Sequence, residues 1–152
     1  MYYHLLLTHS YFRWAVVMSL FFALGRAVWG WVGTRPYTRT DALARVLAVI
    51  TTHTQVLLGA WLYFVSPLVA YFLDTPAKGT LPLEIWFFAA IHVTLLLGAV
   101  VVLTIGSALA KRAGADGEKH RLTAIYFGAA LLLMLIAVPW PFSPLAARPW
   151  FR

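Results

Sequence analysis

The chain has 152 residues, of which 62% are hydrophobic and only 11% charged, with a mean hydropathy of +0.79. That is more apolar surface than a water-soluble domain of this size can bury. Its formal net charge of +7 sits in the flanks of apolar runs and does not form a stripe that would follow a nucleic acid, and the absence of cysteine excludes disulfides, thiolate clusters and covalent c-type haem attachment.

Four apolar stretches, 10–31, 42–65, 84–110 and 122–138, each come close to or exceed the roughly 20 residues that cross a hydrocarbon core of about 30 Å. The first is flanked by Tyr2, Tyr3, Tyr11, Phe12 and Trp14 on one side and by Trp29, Trp31 and Tyr37 on the other, in the manner of aromatic interface belts. No basic region precedes it and no small-residue cleavage site follows, so it reads as a retained helix. Gly33, Pro36 and Asp41 punctuate a short connection to the second stretch, where Asp41 and Arg45, four apart, are spaced to pair but are read chiefly as anchors of the helix end. The connection over 66–83 is longer and holds Pro67, Pro76, Gly79 and Pro82, with Tyr71 and Phe72 suited to the interface. Its length allows the second and third helices to stand apart. Gly114 and Gly117 mark another short link, and Pro139, Pro141 and Pro144 forbid a helix beyond Val138. The tail is therefore expected to lie extended along the outer surface.

Arg26, Arg35, Arg39 and Arg45 flank the first connection and Lys111, Arg112, Lys119 and Arg121 the third, against Arg13, Lys78, Arg148 and Arg152 on the other side. Four spans with so little sequence between them predict an all-α, single-domain, integral membrane four-helix bundle of up-down-up-down order, which the positive-inside rule orients. Both termini are expected on the outer, periplasmic side of an inner membrane, and the cationic loops against anionic headgroups.

Two histidines interrupt long apolar runs within nearly the same octapeptide, one running from His53 through Gly59 and Ala60, the other from His92 through Gly98 and Ala99. An imidazole in hydrocarbon is a functional-site hypothesis by default. Counted along ideal helices, His53 lies about 18 Å from the inner end of its span and His92 about 12 Å from the outer end of its own. In a core of about 30 Å these depths agree to within a turn, so the two rings are expected to face each other. The small pairs Gly59-Ala60 and Gly98-Ala99 fall two turns on, near the same faces, leaving room for a flat macrocycle or simply for close helix packing.

Two imidazoles from different helices suit the axial positions of a non-covalent haem b. Arg13, four residues after His9 on one helix face, is placed for the propionates, and Thr52, Gln55 and Thr94 for the imidazoles or the ring edge. His9 is a further candidate, as a third ligand, a quinone contact or an interfacial side chain; His4 and His120 fall outside the apolar spans and receive no role. Cofactor-free hydrogen-bonding histidines in an accessory subunit of a respiratory or photosynthetic complex remain the alternative, followed by copper, another metal or a pigment. The acids Asp41, Asp74, Glu84, Asp116 and Glu118 all lie at span ends or in connections, which leaves no carboxylate relay at mid-depth and no hydrolytic constellation.

His9-Ser10-Tyr11 opening the first span, Thr52-His53-Thr54-Gln55 in the second, His92 in the third and Pro139-Trp140 closing the fourth together resemble a family of small bacterial four-span proteins labelled cytochrome b or b561-like. Ile91 and Val138 stand where members of that family often carry an acid and an arginine. The resemblance implies a haem-binding electron carrier of a bacterial inner membrane, working with a quinone pool and with other membrane subunits or further copies of itself, more as an oxidoreductase subunit than as a stand-alone enzyme.

Overall fold

The computed structural model describes residues 1–150, about 80% of them helical and none in a strand. Helix α1 runs Tyr2–Val32, α2 Arg39–Phe64, α3 Pro67–Asp74, α4 Leu83–Trp86, α5 His92–Arg112 and α6 Asp116–Ala137. A π-helical turn, Phe87–Ile91, joins α4 to α5, so that 83–112 form one continuous span. Four helices are thus long and apolar enough to cross a membrane, with both termini at the same end of the bundle.

The helices overrun their apolar stretches. Helix α1 starts at Tyr2, not Ser10, because Leu5 is already buried and Thr8 satisfies itself on the carbonyl of His4. Helix α6 starts at Asp116, whose first turn carries Asp116 and Glu118. Acids there complement the positive helix end, and Lys119 pairs with Asp116 one turn on.

Helices α1 and α2, α1 and α6, and α5 and α6 pack closely, whereas α2 and α5 approach only sparsely. Small residues set the close contacts. Gly30 on α1 lies against the ring of His120, and Gly106 on α5 against Tyr126. Leu20, Ala48, Ala99, Leu103, Phe127 and Ala130 form the centre of the core.

At the arginine-rich end, α2 begins with a capping box in which Asp41 N–H donates to Thr38 Oγ1 and Thr38 N–H to Asp41 Oδ2. Asp41 does not pair with Arg45. Its carboxylate receives Arg26 Nη2 of α1 at 2.8 Å, since the box turns it back towards the helix start. Arg45 instead donates from α2 to Ser107 of α5, to its carbonyl at 3.0 Å and its hydroxyl at 2.5 Å. Thr38→Ala is expected to lower stability by about 1 kcal/mol, the usual worth of such a cap, as read by thermal unfolding in detergent.

At the terminal end, α3 follows the Ser66 cap with Pro67 in its first turn. The Lys78 ammonium closes its far end by donating to the carbonyls of Phe72 and Thr75. Beyond α6 the tail crosses this end of the bundle. Arg13 donates to the carbonyl of Trp150, Arg148 pairs with Glu84, and Trp14, Trp140 and Trp150 cluster with tilted rings.

Candidate functional site

Because α2 and α5 stand apart, the terminal half of the bundle encloses a cavity of about 490 Å³. Its wall is largely apolar, with Leu6, Val16, Val56, Leu96, Val100 and Met134 among the lining residues. Polar side chains reach it from three spans: His9 and Arg13 from α1, Thr52 and Gln55 from α2, and His92 from α5, with Arg148 of the tail at the rim.

The structure brings together His9 and His92. Their ring centroids are 6.4 Å apart and their planes cross at 70°. His9 packs on Gly59, where an added Cβ would stand 3.0 Å from His9 Cε1, so this glycine makes room for an imidazole. Gln55 crosses from α2 and donates to the backbone carbonyl of His9 at 2.9 Å. The same amide nitrogen lies 3.4 Å from His9 Nε2, beyond the usual range of a hydrogen bond. His9 Nδ1, Gln55 Oε1 and Thr52 Oγ1 are buried without a hydrogen-bond partner.

His92 is aimed by two departures from regular helix. The π turn ahead of it carries one residue more than α geometry, which rotates the downstream residues by about 100° around the axis. Its Nδ1 then donates to the carbonyl of Ala137 at 2.7 Å. That carbonyl is open because α6 ends at Ala137 and the chain turns extended at Val138. Leu135 loses its donor to Pro139, and there the indole Nε1 of Trp140 donates at 2.7 Å. With Nδ1–H committed, the lone pair of His92 is on Nε2, the arrangement of a metal-ligating histidine held by a backbone carbonyl.

His53 lies elsewhere. Its Nδ1 donates to the carbonyl of Val49 at 2.8 Å and its Nε2 lies 3.4 Å from Thr104 Oγ1, outside the cavity lining. Thr104 is twelve residues beyond His92 in α5, about 18 Å along the axis. The expected His53–His92 pair therefore does not form. The reason is register: the start of the third span packs on α3, past the end of α2, so a depth counted from Glu84 places His92 too far into the bundle.

Of the remaining candidates, Arg13, Gln55, Gly59 and Ala60 line the cavity, whereas Gly98 and Ala99 do not. Ala99 is fully buried in the core, and a Cβ on Gly98 would meet nothing. Thr94 is exposed. The guanidinium of Arg13 also lies over the rings of Trp14 and Trp140. His120, to which the sequence assigns no role, is among the largest fully buried side chains. Neither Tyr63, which lines the cavity and donates to the carbonyl of Ala89, nor Arg148 stands out as a site residue in the sequence. Aromatic belts and tail cations carry no signal that separates these two from their neighbours.

Among the described residues no group of three or more His, Cys, Asp or Glu is arranged to hold a metal ion. A haem needs only two protein ligands, since the macrocycle occupies the other positions on its iron. With metal–nitrogen bonds of about 2.0 Å, two imidazoles sharing one ion stand with ring centres roughly 6 Å apart. The His9–His92 centroid separation of 6.4 Å is of that size, whereas His53 lies beside Thr104, twelve residues further along α5. No family model, curated protein or solved structure matches the chain.

Proposed function

We propose that this chain is a b-type cytochrome of a bacterial inner membrane, with both termini outside, that binds one haem b non-covalently between His9 and His92. The observation that carries this reading is that two imidazoles from different spans meet on the wall of one apolar cavity. A volume of about 490 Å³ lies within the usual range of roughly 300–1,000 Å³ for small-molecule and cofactor sites.

Haem in such a site supplies one-electron transfer. The chain's own residues do the rest. His92 offers Nε2 because Ala137 holds its Nδ1–H, and Gln55 ties the backbone of His9 to α2. Arg13 and Arg148 bring two guanidinium groups to the cavity lining, where carboxylates of a bound group would find cations, Arg148 in exchange for its pairing with Glu84. A haem held there would exchange electrons on the outer side, with a quinol or quinone of the pool or with a partner subunit. One haem there does not cross the bilayer, so transmembrane transfer requires further cofactors on a partner.

The purified protein, reduced with dithionite, is expected to show sharp α and Soret bands against the air-oxidised sample. Folded protein from haem-replete cells with a featureless difference spectrum overturns the proposal.

A further inference from the structure

We infer that Tyr63 is the positioning residue for His92, acting through the π turn. This rests on the haem reading for its consequence but not for its geometry. The hydroxyl of Tyr63, near the end of α2, donates to the carbonyl of Ala89 at 3.1 Å. Ala89 is buried within the π turn that immediately precedes His92. Among the described residues, the other polar contacts between α2 and α5 are His53 Nε2 beside Thr104 at 3.4 Å and the hydrogen bonds of Arg45 to Ser107. Both are towards the arginine-rich end, so Tyr63 is the polar tie between these two spans on the cavity side.

The consequence comes from helix geometry. A π turn is strained relative to α-helix and persists where something outside the helix takes up a displaced carbonyl. If the turn relaxes to α register, the residues beyond it rotate by about 100° relative to those before it. The imidazole of His92 then leaves either Ala137 or the cavity. Tyr63 thus holds the register and Ala137 the ring angle, and together they fix where Nε2 of His92 stands.

The test is Tyr63→Phe, which keeps the ring and removes only the hydroxyl, with Tyr37→Phe as control. The Tyr37 hydroxyl is bound by Arg45 at the other end of the bundle. Two readouts are taken. In haem-free protein labelled with nitrogen-15 histidine, the Nδ1–H of His92 is expected as a slowly exchanging, downfield proton that Tyr63→Phe exposes to exchange and Tyr37→Phe leaves alone. In haem-loaded protein, Tyr63→Phe is expected to weaken haem binding at least roughly tenfold, as loss of an outer partner of a metal ligand does, with high-spin absorption appearing beside the low-spin bands. A Tyr63→Phe protein matching the wild type in both readouts overturns the assignment and leaves the haem proposal standing. If the proton responds while wild-type protein binds no haem, the positioning role holds and the cytochrome reading fails.

Discussion

Alanine at His92 or at His9 is expected to abolish the low-spin haem spectrum, while alanine at His53 leaves it intact. The two cavity histidines come from α1 and α5 with their ring centroids 6.4 Å apart, so under the proposed reading removal of either would leave a bound haem with at most one of the two imidazoles. His92→Ala is the more severe of the two, because it also empties the bond to Ala137 and opens the wall between α5 and α6. His53 is satisfied within the bundle by Val49 and lies beside Thr104. Its loss is expected to cost only what an interhelical contact in a membrane is worth, about 0.6 kcal/mol. Haem content by pyridine haemochrome, with circular dichroism to establish folding, decides the series. An unchanged spectrum in His9→Ala, or loss of haem in His53→Ala with the others unaffected, contradicts the site.

The second large effect is steric and independent of any ligand. Gly30→Ala and Gly106→Ala are each expected to destabilise the bundle by about 1–3 kcal/mol, the range for overpacking a tight contact. At Gly30 an added Cβ falls within the ring of His120, which is 1% exposed and has nowhere to swing. At Gly106 it falls on Cβ and Cγ of Tyr126, atoms fixed to the α6 backbone, so α5 and α6 must separate. Gly98→Ala in the same helix as Gly106 meets nothing within 4 Å. There the better helix propensity of alanine is expected to raise stability by up to about 1 kcal/mol. The opposite signs separate packing from propensity, and thermal unfolding in one detergent reads both.

The spans were legible because hydropathy over some 20 residues leaves few alternatives to a membrane helix. The looseness between α2 and α5 was legible too, from the proline-rich length of 66–83. The partner of His92 was not. Pairing it with His53 used the repeated octapeptide and a depth count from helix ends, and both assume that the two spans begin level. The third span begins beyond α2, against α3, and the π turn at Phe87–Ile91 inserts a residue that no local propensity announces. Asp41 reads chiefly as an anchor of the helix end, and it anchors α2 through the capping box and Arg26 without pairing to Arg45.

One signal was readable in retrospect. Pro139 stops α6 and leaves its last carbonyls without intrahelical donors. Trp140 and His92 supply donors to Leu135 and Ala137. The proline-rich closure of α6 thus both ends a helix and anchors the ring of His92.

A low-temperature electron paramagnetic resonance spectrum of the ferric protein reports the nature and mutual orientation of the axial ligands in one measurement. With His9 and His92 crossing at 70°, the expected result is a low-spin signal with a single, strongly shifted g maximum, typical of imidazole planes that stand nearly perpendicular. A high-spin signal, or no haem signal from folded protein, contradicts the account.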